Sequence, residues 1–174
     1  MSPEILIKQA TPGDAALVLR FIKGLAEYEK LSNKVVATEA NIRESLFGEF
    51  ANAEAVFAYQ NSEAVGCAIF CQHYSTYSGR CSLYLEDIFV LPDRRGGGIG
   101  RKLMEYGAKL AKSRGYLRME WSVLDWNESA IGFYENLGAR RLDGWSIYRL
   151  EGPDLEQLVP PAVSYTHLTL PTKA

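Results

Sequence analysis

The stretch "YLEDIFVLPDRRGGGIGRKLMEYGAKLAKSRG", from Tyr84 to Gly115, constrains this chain more than any other. Leu83–Val90 reads as an apolar strand carrying two carboxylates, Glu86 and Asp87. Residues 99–114 read as an amphipathic helix with Ile99, Leu103, Tyr106, Gly107 and Leu110 turned inward. Between them lie two adjacent arginines and four glycines, Gly96, Gly97, Gly98 and Gly100. Each glycine costs backbone entropy, so the loop must bring main chain very close to something. Strand, glycine loop and helix N-terminus together point successive N–H groups into one concavity, with the positive end of the helix behind it. A diphosphate suits that concavity, and side chains in the loop would hold it off.

Three phosphate-binding patterns compete for this loop. A P-loop needs a hydroxyl after its lysine, but Lys102 is followed by Leu103. A dinucleotide fingerprint fails because the third glycine position after Gly98 and Gly100 is also Leu103. The pattern R-x-x-G-x-G is met by Arg95, Gly98 and Gly100.

The rest of the chain supplies a mixed architecture. Ile5–Gln9 reads as a strand, and Asp14 as the N-cap of a helix carrying Leu17, Phe21, Leu25 and Tyr28 on one face. Thr38 opens a second helix, with Ile42, Leu46 and Phe50 in phase. Ala55–Gln60 and Ala64–Tyr74 read as strands joined by the short connection "NSE". Beyond the central helix come a strand over 117–124, a helix over 128–137 and a strand over 144–150. The expected class is therefore α/β with a mixed, mostly antiparallel sheet and helices on both faces. One domain over residues 1–158 is expected. The end, "PPAVSYTHLTLPTKA", has no period that would pack, and 159–174 are read as a non-native or disordered tail.

A net charge of -2 gives no global basic field, which argues against nucleic acid and anionic membranes. No apolar run is long enough to span a bilayer. Cys67, Cys71 and Cys81 sit in apolar strand contexts and read as buried free thiols in a cytoplasmic protein. With two histidines in all, no metal site is expected.

R-x-x-G-x-G after a strand resembles the coenzyme A pyrophosphate signature of the GNAT superfamily of N-acetyltransferases. "NESAIGFYENLGA" (Asn127 to Ala139) resembles the same superfamily's N-x-x-A-x-x-F-Y-x-x-x-G segment. A finer resemblance, to the spermidine/spermine and thialysine N-acetyltransferase branch, is carried by "RFIKGLAEYEK", "LYLEDIFVLPDRRGGGIG" and "WNESAIGFYENLGA", and extends over most of residues 1–150. It implies a GNAT fold, acetyl-CoA as co-substrate, a small-molecule primary amine as acceptor and a homodimer. A peptide or protein acetyltransferase of the same fold and a non-catalytic acyl-CoA sensor are the alternatives.

Direct transfer from a thioester to an amine needs a neutral amine, a stabilised carbonyl oxygen and a proton for the departing thiolate. Tyr134, in the F-Y of the second motif, is the candidate acid, since a phenol with a pKa near 10 suits a basic thiolate. Glu86 and Asp87 are the candidate bases. Strict alternation places Asp87 with Leu83, Leu85 and Phe89, and Glu86 on the opposite face with Tyr84, Ile88 and Val90, unless a bulge turns the strand. The resemblance implies that the Glu86 position contacts the amine, and Glu86 is preferred. Expected to hold acetyl-CoA are Arg95, Gly96, Gly97, Gly98, Ile99, Gly100 and Arg101 at the diphosphate. Ile88, Phe89 and Val90 would hold the pantetheine arm, with Asn127, Ser129 and Ala130 beyond. Asn127 reads equally as a helix N-cap. In the resembling branch the amine site is lined at the positions of Tyr28, Glu29, Glu86, Asp87, Glu120, Trp121, Ser122 and Asp143. This chain departs from the polyamine enzymes at "YSTYSGRCSLYLED", which is two residues shorter, lacks their acidic residue, proline and tryptophan, and carries Arg80. A cation site gains nothing from another cation, so a smaller, lysine-like amine is expected over spermidine.

Overall fold

The computed structural model describes residues 4–160. Most of the tail expected from 159 onward therefore lies outside the described residues. The chain divides into two units, one reaching to Asp125 and one beginning at Trp126.

The first unit is built on strands β1 (Leu6–Gln9), β2 (Ala53–Gln60), β3 (Glu63–Ser75), β4 (Arg80–Val90) and β5 (Met119–Glu120). They form one sheet in sequence order, antiparallel except for the β4/β5 pair. Helices α1 (Ala15–Tyr28) and α2 (Glu39–Phe47) pack on one face, and α3 (Ile99–Ser113) on the other. The mixed, mostly antiparallel sheet with helices on both faces is as the sequence pattern predicts.

Local chemistry explains the boundaries. Thr38 caps α2 by accepting the Asn41 amide at 3.2 Å, while Asn41 Oδ1 accepts the Thr38 amide at 3.0 Å. Asp14 does not cap α1 with its side chain. Its carboxylate instead takes the amide and hydroxyl of Thr11, at 2.8 and 2.7 Å, and closes the turn before the helix. The β2–β3 hairpin turns on Asn61 and Ser62, both left-handed (φ 49° and 67°), a two-residue geometry that follows the twist of the strands.

The α1 face buries Val18 and Phe21 against Phe57, Cys67, Ile69 and Phe89, with Ile42 and Leu46 of α2 closing the cluster. On α3 the buried face is Ile99, Leu103, Met104, Gly107 and Ala111, with the expected Tyr106 and Leu110 half-buried at its margin and Tyr106 against Phe70. The helix sits low on the sheet because Gly107 lacks a side chain. A Cβ there would lie 2.7 Å from the Phe70 ring and 2.8 Å from the Met119 methyl.

Two expected strands are not formed as predicted. The one expected over 117–124 shrinks to Met119–Glu120, two residues paired to Leu83 and Tyr84. The one expected over 144–150 is not a strand, and Trp145, Ile147 and Tyr148 are exposed at 75%, 81% and 92%. Alternating apolar residues announce a strand only where another strand accepts its main-chain bonds. The second unit instead contains α4 (Glu128–Glu135) and a short helix, α5 (Pro153–Gln157), that the sequence pattern does not announce. No helix among the described residues is long and apolar enough to cross a membrane.

Candidate active site

The glycine loop has the geometry its composition demands. Gly96 and Gly98 adopt φ of 79° and 84°, where a Cβ is disfavoured, and Gly98 is the left-handed residue that launches α3. No side chain caps this helix. The first bond of the helix runs from the Lys102 amide to the Gly98 carbonyl at 3.1 Å, so the amides of Ile99, Gly100 and Arg101 precede the helical ladder. The two neighbouring arginines diverge. Arg94 pairs with Glu63 at 2.8 Å, tying the loop to the β2–β3 hairpin. Arg95 turns the other way. Its Nε donates to the Val90 carbonyl at 3.1 Å, and its guanidinium stacks 4.4 Å from the Tyr28 ring centroid and 5.5 Å from that of Phe89.

The two carboxylates of β4 owe their placement to a bulge. β3 and β4 pair continuously from Ser75↔Arg80 to Phe70↔Leu85 and resume at Ile69↔Asp87, leaving Glu86 as the extra residue. Strict alternation therefore fails here. Leu85 stays with Phe70 on the α3 face, whereas Asp87 and Phe89 join Ile69 and Cys67 beneath α1. Asp87 lines a small recess with Phe21, Ile22, Leu25, Cys67, Ile69 and Phe89. Burial among these apolar groups pushes its carboxyl up to about 6, helped by the charges of Glu86 and then Glu29. Burial also raises Glu29 above the ordinary carboxylate range. Glu86 itself is exposed, and its charge is felt at Cys71 as well as Asp87, both on the α1 face. Glu29, Glu86 and Asp87 thus form one acidic group. The Cys67 thiol beside them is pushed far up by burial, while Cys71 and Cys81 are only half-buried.

The open side of β4 lies next to this group. β5 pairs with β4 only through Leu83↔Met119 and Tyr84↔Glu120. From Leu85 to Val90, the edge of β4 turned away from β3 has no strand partner among the described residues. Main-chain groups of Ile88, Phe89 and Val90 there can serve an extended ligand as a strand would.

Other expected residues fall elsewhere. Glu120 lies opposite Tyr84 and is held by Arg118 Nε at 2.9 Å and Ser82 Oγ at 2.9 Å, with His73 Nδ1 at 3.7 Å. Ser122 shares a 2.9 Å bond with the Tyr84 hydroxyl, and Trp121 is half-buried. Ser82 and His73 escape sequence reasoning because only the sheet register brings them to Glu120, whereas Arg118 reaches it from two residues earlier on the same segment. In the second unit, Asn127 is buried and caps α4, its Oδ1 accepting the Ala130 amide at 3.2 Å. Tyr134 is buried with its ring 5.3 Å from that of Phe133, and Ser129 is exposed. Asp143 is almost fully exposed and lies 3.7 Å from Arg141.

Comparison with known proteins agrees with this architecture. Residues 23–139 match the acetyltransferase (GNAT) family. The chain is 40% identical over 165 residues to thialysine N-epsilon-acetyltransferase of Sus scrofa, covering 88% of this chain and 96% of that protein. The Bos taurus protein of the same name is 38% identical over the same coverage. Among solved structures, an integron cassette protein from the mobile metagenome of V. cholerae superposes with a TM-score of 0.74 at 28% identity, covering 91% of this chain and 98% of that one. With an uncapped glycine loop after a bulged, half-open strand and a family match across both, the chain belongs to the GNAT acetyltransferase family and is an acetyltransferase.

Proposed function

We propose that this enzyme moves the acetyl group of acetyl-CoA to the primary amine of a small, lysine-like molecule by direct attack. The observation that carries the reading is Asp87, a half-buried carboxylate that lines an apolar recess at the bulge beside the open edge of β4, where desolvation pushes it up to about 6. Similarity to thialysine N-epsilon-acetyltransferases over most of the chain supports the choice of amine.

The residues present fit the co-substrate. The uncapped amides from Gly96 to Arg101 would take its diphosphate, and the main chain of Ile88, Phe89 and Val90 its pantetheine arm. Asn127, Ser129 and Ala130 are assigned to the same molecule from their motif. Acetyl-CoA supplies a thioester whose carbon accepts the amine nitrogen. Exposed Glu86 attracts the incoming ammonium, with Tyr28 and Glu29 at the end of α1. Asp87, in place of the Glu86 preferred from the sequence, receives the proton that the ammonium must lose before it can attack, because the apolar recess around it raises its carboxyl. Arg95, stacked on Tyr28, ties the diphosphate loop to this pocket. Tyr134, from its place in the F-Y motif, delivers a proton to the departing thiolate. Asp143 is assigned to the amine site from the resemblance alone.

Free thiols such as buried Cys67 suit a cytoplasmic setting. Exposed Trp145, Ile147 and Tyr148 support a homodimer, for which sedimentation equilibrium at micromolar protein gives twice the chain mass. One assay tests the catalytic reading: free thiol released from acetyl-CoA with thialysine, lysine, spermidine and an aminoglycoside. Lysine-like amines release thiol fastest, and Tyr134→Phe lowers kcat at least roughly tenfold while coenzyme A still binds. Silence with every amine rejects the reaction, and an unaffected Tyr134→Phe rejects the acid.

A further inference from the structure

Arg95 heads the glycine loop, but its side chain is engaged by three residues outside it. Leu91 donates to the Val65 carbonyl at 3.0 Å, so the next pair along, Gly66↔Val90, directs the Val90 carbonyl away from β3. Arg95 Nε donates to that carbonyl at 3.1 Å and so closes the open edge of β4 at its loop end. The guanidinium lies 4.4 Å from the Tyr28 ring centroid and 5.5 Å from that of Phe89. Tyr28 shares a face of α1 with Leu25, three residues earlier, and Leu25 and Phe89 both line the recess around Asp87. The Phe89 ring reaches α1 because residue 24 is glycine, where a Cβ would lie 2.9 Å from it. One planar group thus joins the end of α1, a wall of the recess and the strand that carries Asp87.

The geometry points to Arg95 as a positioning residue for the amine pocket and not as a ligand of the diphosphate. This rests on the acetyl-transfer reading above and assigns the first residue of the loop to the acceptor side of that site. Arg95 adjoins Gly96, so any ordering of the loop by a bound diphosphate passes to Tyr28 and Phe89 through a rigid plane. The contact needs an arginine. A guanidinium can stack on a ring while its Nε holds a carbonyl, whereas a lysine ammonium carries the same charge with neither the plane nor that bond. At a phosphate, by contrast, a lysine serves as a point charge. That difference separates the two roles.

Titration calorimetry, amide hydrogen exchange and steady-state kinetics with thialysine tell them apart. Arg95→Ala and Arg95→Lys are expected to bind coenzyme A within about threefold of wild type, and both to raise KM for thialysine by roughly tenfold. Coenzyme A alone is expected to slow exchange at the amides of residues 26–31 in wild type. Both variants lose that slowing while keeping it at residues 99–102. In a Tyr28→Ala background, Arg95→Ala adds less than about twofold to KM, because the two side chains act as one contact. Coenzyme A affinity that falls roughly tenfold or more in Arg95→Ala and returns in Arg95→Lys makes Arg95 a diphosphate ligand and overturns the inference. So does exchange at 26–31 that responds to coenzyme A equally in wild type and Arg95→Ala, a result that needs no amine. A wild-type protein that does not bind coenzyme A overturns the acetyl-transfer reading itself, and this inference with it.

Discussion

The glycine loop and the β4 bulge stand a few residues apart on one continuous stretch, yet they are made of different materials. In the loop, the amides of Ile99, Gly100 and Arg101 precede the helical ladder without a side-chain cap, and the side chains around them are anchors: Arg94 to Glu63, Arg95 to Tyr28 and Val90. At the bulge the main chain is displaced so that side chains can act, Asp87 beneath α1 and Glu86 in the open. A site made of amides depends on backbone conformation and tolerates changes of charge. A site made of carboxylates depends on charge and burial. The two therefore fail under different substitutions.

The largest separation comes from Gly98→Val. A β-branched residue at φ 84° is strained by about 1–3 kcal/mol, and it moves the start of α3 where the amides converge. Titration calorimetry is expected to show coenzyme A affinity reduced at least roughly 100-fold, with the Asp87 region unaffected. A Gly98→Val protein that binds coenzyme A normally would remove the loop from the site.

Asp87→Asn comes next, and it acts in opposite directions on activity and stability. Loss of the proton acceptor lowers kcat by about 100-fold or more, with coenzyme A binding intact. The native state holds the Asp87 proton up to about pH 6, while the unfolded chain releases it at the ordinary value of 3.8. Between those values the folded protein binds more protons, so this group's contribution to stability falls as pH rises and its cost is complete above about 6. Wild-type activity should rise around pH 6, where Asp87 ionises in the folded protein. Relative to wild type, Asp87→Asn is expected to gain at most about 3 kcal/mol at pH 7 and nothing near pH 4, read by urea unfolding. A variant no more stable than wild type at pH 7 would mean that Asp87 is solvated.

The same contrast explains what could be read in the sequence. Backbone-made features announce themselves through composition: Arg95, Gly98 and Gly100 mark the loop, and the helix that follows has its period intact. A bulge carries no such mark. Glu86 is an ordinary residue in an ordinary strand, and only pairing with β3 shows that it is the extra one, which moves Asp87 away from Leu83 and Leu85. Glu120 was expected at the amine site from resemblance, but its contacts with Ser82 and His73 were not legible, since those residues arrive from two other strands. The alternating residues 144–150 misled for a related reason: period reports which residues alternate, not whether a neighbouring strand is there to pair with them.

The smallest effects sharpen the bulge itself. Burial contributes most to the raised Asp87 value, Glu86 less and Glu29 least. Glu86→Gln removes one like charge without altering the recess, so the Asp87 carboxyl becomes easier to ionise and the acidic limb of kcat moves to lower pH. The displacement should be under about one pH unit, because an exposed charge acts through solvent. Glu29→Gln should move the limb in the same direction by less, and the two together by nearly the sum if they act only through their fields. A limb that stays put in both variants would assign it to a group other than Asp87. A Glu86→Gln enzyme that loses the limb together with most of its kcat would mean that Glu86 itself takes the proton, returning the base to the residue that strand alternation had set apart.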